Sequence, residues 1–293
     1  MSPQLGILFA LACAFVTNLA FLYKHRGACA APKVDIRHPL RSAAGLFRSK
    51  WFSIGMLVGL GAWLFHVAAL AMAPLSVVQV VLASGLVLLA VMADRMFGFH
   101  LGLRQWLGLG AMAVGLALVA ITQPAMHGSH SSYSVLAITA FEGGLLALGA
   151  LLIAGPRMMG AREEHHGLAL GAAAGVLFGV SDVAIKAITG VVGMDGLFGL
   201  VTPWTLVAVV ASIGAFFASA RGLQDGEAVP VIAITGTAAN ISCIAGGIIV
   251  FGDPMPGDAV GIAIQAVAFV LVILAAALTP APVRAARVAP AAA

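Results

Sequence analysis

From Gln4 to Leu278 the chain is a succession of apolar runs, each about twenty residues long, set off by polar or proline-marked breaks of which 24–50 is the longest. That length is the main constraint, because ~20 helical residues span the ~30 Å hydrocarbon core of a bilayer. A soluble domain carries roughly 25% charged residues, whereas this chain carries 9%. It has too few charges to cover a water-facing surface. The expected class is an all-α polytopic membrane protein. A transmembrane barrel would instead alternate in polarity over ~10-residue strands.

The runs predict about nine transmembrane helices, near residues 4–23, 51–73, 76–93, 106–123, 133–154, 167–188, 203–220, 228–249 and 259–278. Pro74, Pro203 and Pro230 mark span starts. Tyr23, Trp51, Trp106, Tyr133 and Trp204 fall at span ends, where amphipathic rings favour the headgroup layer, while Trp63 falls mid-span. The first run lacks a basic leader and is followed by Lys24-His25-Arg26-Gly27, so it reads as a membrane helix rather than a signal peptide. With this span count, loops on one side hold 14 of the 15 Lys and Arg residues, seven of them within residues 24–50. The positive-inside rule then places the N-terminus outside and the C-terminus in the cytoplasm, in the plasma (inner) membrane. The net charge of +4 is thus a topology signal and points to no nucleic-acid partner. Residues 24–50 read as a solvated linker with basic groups available to anionic lipid. The Pro/Ala-rich tail 281–293 reads as disordered.

Two internal alignments predict duplication. Phe97-Gly98 matches Phe251-Gly252 at the head of two long apolar runs, and Thr17-Asn18 matches Ser181-Asp182. Together they divide the chain into a first four-helix repeat (1–124), a linking helix (125–166), a second four-helix repeat (167–280) and the tail. A single linking helix makes the second repeat enter from the opposite face. Such inverted repeats are typical of secondary transporters and place the substrate site near the bilayer midplane.

The stretch Ala69–Gly98 and the turn Phe251–Gln265 resemble the drug/metabolite transporter superfamily. Asp253 stands where that superfamily's second-half turn often has Glu, and Phe99 and His100 stand at the corresponding place in the first half. The long basic loop and Lys186 resemble the NIPA-type, magnesium-transporter-like branch. That branch's Thr-Pro-Leu-Gly motif is replaced here by Val78-Gln79-Val80. The resemblance implies a carrier working by alternating access, with a magnesium or divalent-cation permease as the alternative. A non-transporting membrane scaffold is the reading from a different class.

Charged groups at bilayer depth cost ~2.5–3.5 kcal/mol on insertion scales, so they are functional candidates by default. Asp182 lies ~22 Å along its helix from the cytoplasmic start. Lys186 follows one turn on, in position to form an i,i+4 ion pair or to snorkel to the outer interface. Asp182 is thus either half of a structural pair or a cavity carboxylate for cation, proton or metal. Asn18, its repeat partner, makes a matched gate element. Glu142, near the midplane beside Gly143-Gly144, is a candidate coupling acid or a neutral carboxyl bonded between helices. His66 and Asn240 are candidate lining residues or satisfied core polar groups, with Gln79 and Gln265 weaker members of the same set. Gly171, Gly175 and Gly179 form a small-residue ridge for close helix packing, which turns the neighbouring Asp182 toward protein.

Other signals carry little. Gly108–Ala113 matches a loose dinucleotide fingerprint but sits inside a membrane run with no preceding strand. His127, His130, His165 and His166 are loop histidines on opposite sides, and Cys13, Cys29 and Cys243 have no metal-ligand spacing. No nucleophile elbow, zincin or Walker motif is present, so no enzyme activity and no cofactor is expected. The expected partners are lipid and a small-molecule or cation substrate, and a homodimer is compatible with the chain.

Overall fold

The structure is a computed structural model that describes residues 3–35, 37–83, 85, 103–122, 131–158, 163–226 and 228–278. Its described elements are α1 (Pro3–Cys29), α2 (Pro39–Phe47), α3 (Lys50–Met72), α4 (Leu75–Ala83), α5 (Leu103–Thr122), α6 (Val135–Met158), α7 (Glu163–Asp195), a 3-10 turn (Gly196–Leu200), α8 (Pro203–Asp225), α9 (Ala228–Phe251) and α10 (Ala259–Leu278). Among the described residues there is no strand, and six helices are long and apolar enough to cross a membrane. The chain is therefore a multi-pass helical membrane protein. The predicted tail 281–293, half of span 76–93, Phe97-Gly98, Phe99-His100, His127 and His130 lie outside the described residues.

The long helix α7 is central and packs on α3, α6, α8 and α9. α1 lies along α3, and α5 pairs with α10. The glycine ridge explains how α7 and α9 come so close. A Cβ on Gly175 would meet the carbonyl oxygen of Thr235 and lie 2.7 Å from the Ala238 Cβ. Gly171 and Gly179 face Val231, Ile234 and Ser242 of the same helix. Thr235 Oγ1 then donates to the Gly171 carbonyl at 2.9 Å, a bond available only because the backbones touch.

Several boundaries differ from the sequence reading. α1 continues to Cys29, α7 runs from Glu163 to Asp195, and α8 reaches Asp225, so each extends past its apolar run. The extensions carry polar residues that find partners at one end of the bundle. There the Asp225 carboxylate accepts from Arg221 Nε at 2.6 Å, and His166 Nδ1 and Lys33 Nζ lie 3.1 and 3.4 Å from it. Residues 24–50 are also more ordered than a solvated linker. Pro39 opens α2, and its Leu46 is buried among Ala28, Val34, Phe52 and Ala220. Gln224 and Arg221 hold the preceding segment by bonding both backbone groups of Val34 at 2.8 and 2.7 Å.

Candidate functional site

A cavity of about 250 Å³ lies between α1, α3, α4, α7 and α9. Helical spacing builds its wall on α1, where Cys13, Thr17, Phe21 and Lys24 recur every three or four residues. Gly59, Trp63 and His66 repeat the pattern on α3, while Phe178 and Asp182 do so on α7. Ile232, Thr235, Gly236, Ala239 and Asn240 close the side formed by α9. The mid-span Trp63, odd in sequence, is a cavity-lining ring.

Five of the sequence candidates meet here: Asn18, His66, Asp182 and Asn240, with the weaker candidate Gln79. Asp182 is the hub. Its Oδ1 lies 3.0 Å from His66 Nε2. Its Oδ2 accepts from Gln79 Nε2 at 3.2 Å and from the Cys243 thiol at 3.5 Å. Hydrogen-bond donors from two other helices, α4 and α9, thus converge on this carboxyl group, with the His66 ring of α3 beside it. The His66 ring is buried, and among the described residues neither of its nitrogens makes a well-aligned hydrogen bond. Its contact with Asp182 is therefore a close approach outside hydrogen-bond alignment. Cys13 on α1 is another polar group beside the ring.

Asn18 is held differently. Its Nδ2 donates to the carbonyls of Ala14 and Gly85 at 2.7 and 2.8 Å. Both amide hydrogens are thereby used, which leaves Oδ1 as the group it can offer a solute. Ser181, next to Asp182, points elsewhere and shares a 2.9 Å hydrogen bond with Ser212.

Lys186 and Glu142 stand apart from the cavity. Lys186 neither pairs with Asp182 nor snorkels: it is fully buried, and its Nζ donates to the carbonyls of Leu70 and Ala73 at 2.7 and 2.9 Å. The physical reason is the break at Pro74. The last carbonyls of α3 have no helical partner there, and a cation at a helix C-terminus is doubly favoured. Asp253 completes the joint, accepting from the Ser76 backbone N–H at 2.7 Å at the start of α4. Room for that carboxylate comes from Gly247, whose Cβ would collide with Asp253 Oδ2. Glu142 is buried on α6, and neither carboxyl oxygen has a hydrogen-bond partner among the described residues. No described atom closes on Gly143 or Gly144 beside it. Gln265 is buried in α10, away from the cavity.

The sequence reading missed Cys13 and Cys243 as neighbours of the His66–Asp182 pair, and missed Phe21, Lys24 and Phe178 as walls. Period-four spacing from Thr17-Asn18 and Asp182 was the available signal for Phe21, Cys13 and Phe178. His165 is exposed and His166 pairs with Asp225, and no group of three or more His, Cys, Asp or Glu residues fit for a metal ion occurs among the described residues.

No family model matches the chain, and no solved structure matches it. It is 24% identical to a probable magnesium transporter, NIPA9, of Arabidopsis thaliana, over 92% of this chain and 80% of that protein. It is 27% identical to an uncharacterized protein of Corynebacterium glutamicum, over 69% of each. The chain is thus a helical membrane protein with distant similarity to a transporter along most of its length.

Proposed function

We propose that the chain is a secondary-active transporter of the drug/metabolite type, moving a small polar solute by alternating access through the cavity around Asp182. The observation that carries this reading is the cavity's position and chemistry. Five helices surround a space lined by one carboxylate, one imidazole, one lysine amine and three carboxamides, inside a chain otherwise built for hydrocarbon. Intramembrane ionisable groups that face a cavity rather than lipid mark solute paths. The predicted inverted repeat supports it further, since the paired positions Asn18 and Asp182 both line this space. In this reading the halves 1–124 and 167–280 rock about it, with the N-terminus outside and the basic end in the cytoplasm.

The second reading is a magnesium or divalent-cation permease, favoured by the similarity to NIPA9. Against it stands the ligand set: Mg²⁺ takes oxygen ligands in near-octahedral geometry, and Asp182 is the one carboxylate among the cavity's lining residues.

The test is flux into proteoliposomes for a panel of amino acids, amines, sugars and Mg²⁺, with Asp182→Asn beside the wild type. Saturable uptake of an organic solute, lost in the variant, supports the carrier. Saturable Mg²⁺ flux with the same loss moves the assignment to the permease. Absence of any flux leaves the scaffold reading and ends both.

A further inference from the structure

We propose that the cavity binds a small organic cation, an ammonium or guanidinium ion, and that this cation displaces His66 from Asp182 with release of the imidazole's proton. The inference rests on the transporter reading and gives the same site a substrate class and an exchange partner.

Three observations converge. First, Asp182 already holds a cation-capable group of the protein itself, with His66 Nε2 at 3.0 Å, yet among the described residues the ring makes no aligned hydrogen bond from either nitrogen. A buried polar group left off-line costs free energy, so this partner is exchangeable in a way that a straight, doubly bonded one is not. Lys186 shows the contrast, with two carbonyl acceptors within 2.9 Å. Second, three of the walls are the aromatic side chains Phe21, Trp63 and Phe178. Aromatic faces stabilise ammonium and guanidinium ions by cation–π attraction, whereas a bare divalent ion needs a cage of oxygens. Third, the space of about 250 Å³ falls below the ~300 Å³ lower end of drug-sized pockets and suits a small solute.

The exchange balances in charge and protons. In the empty cavity, protonated His66 pairs with the Asp182 carboxylate. The incoming cation takes the carboxylate, and one proton leaves His66 for water as the ring becomes neutral. Among the described residues, the other ionisable groups facing this pair or lining the space are the Cys13 thiol and the Lys24 amine on α1, and the Cys243 thiol on α9. Lys24 sits eleven residues beyond Cys13, ~16 Å along the helix. The partner on α4, Gln79, does not titrate.

The test is calorimetry on the purified full-length protein, with methylammonium, benzylammonium and methylguanidinium chlorides as ligands. MgCl₂ and benzyl alcohol form the comparison arms. Each titration is run in two buffers of different ionisation enthalpy, at pH 6.5 and pH 8. At least one organic cation is expected to bind, with up to one proton released per site at pH 6.5. Affinity should rise with pH and fall at least tenfold in Asp182→Asn. His66→Gln should bind the same ion with no proton release and little pH dependence. The wild-type proton count stands by itself should that variant fail to fold. Binding with no proton release overturns the exchange, and Mg²⁺ binding without any organic cation overturns the substrate class. Organic-cation binding that persists in Asp182→Asn overturns the site. In each of these cases transport of another solute in the flux panel leaves the carrier reading standing, whereas a silent panel removes that as well.

Discussion

Lys186 and Asp253 grip opposite sides of one chain break. The lysine donates to the Leu70 and Ala73 carbonyls where α3 ends, and the aspartate accepts from the Ser76 amide where α4 begins. Each charge meets the helix terminus of complementary polarity, and the two residues, on α7 and just after α9, also attract one another. The break at Pro74 is thereby fastened to the second half of the chain.

Removing one member of this clamp should cost more than removing both. Lys186→Met leaves the carbonyls and the Asp253 carboxylate short of a buried cation, a loss of about 3 kcal/mol or more by analogy with other broken buried pairs. Asp253→Asn keeps an acceptor for Ser76 while shedding the charge. The double variant should melt above Lys186→Met alone in a thermal-unfolding series in detergent. Additive losses would mean that the two residues act independently.

The α7–α9 contact gives a sharper stability test. A methyl at Gly175 runs into the backbone carbonyl of Thr235, which has no rotamer with which to move away. Gly175→Ala should therefore destabilise by ~1–3 kcal/mol, the range for overpacking, despite alanine's better helix propensity. Gly143→Ala, where no described atom lies within 4 Å, serves as the control and should hold or raise the melting temperature. Equal melting of the two variants would remove the close-packing role.

Much of this arrangement was visible in the chain, and the missing part has a common cause. Apolar run length located the six long apolar helices but not α2, and the three-residue step from Gly179 turned Asp182 toward protein. Which residues meet across helices was not visible. His66 and Asp182 are 116 positions apart, and no periodicity links two helices at that distance. Lys186 was misplaced because i,i+4 spacing puts Cβ atoms on one face but does not fix where a four-carbon stem ends. Unsatisfied carbonyls at the Pro74 break decided that, and their need arises only once α3 lies against α7. The polar extensions of α1, α7 and α8 were undercounted for the same reason: hydropathy ends where their cross-helix partners begin.

The three unbridged thiols report on the cavity without any introduced label. Cys29 is exposed, Cys13 lies in the cavity wall, and Cys243 is fully buried behind Asp182. Labelling by a small aqueous maleimide, read by mass spectrometry, should follow the order Cys29, Cys13, Cys243. A cation that binds at Asp182 should slow Cys13 severalfold and leave Cys29 unchanged. Equal protection of Cys13 and Cys29 would point to a global change of shape instead of occupancy of this space.

At the other end of the bundle, Asp225 ties α8 to the segment before α2. Its side chain is 2% exposed and meets Arg221, His166 and Lys33, while Arg221 Nη1 also donates to the Val34 carbonyl. Asp225→Asn keeps the shape but removes the charge that orients Arg221. The loss should be about 2 kcal/mol, the scale of a hydrogen bond to a charged group. The consequence is local, because α2 stays packed through Leu46 on Ala28, Phe52 and Ala220. Trypsin should then cut after Lys33 and Arg37 faster in the variant than in the wild type, with little change after Arg48. Arg221→Lys tests the geometry separately, since it keeps the charge and gives up the fork that reaches both Asp225 and Val34. It should raise cleavage at Lys33 to an intermediate rate. If both variants cut at the wild-type rate, residues 30–35 are held without Asp225, through the bonds of Gln224 to Ala28, Pro32 and Val34 and of Ser42 to Asp35.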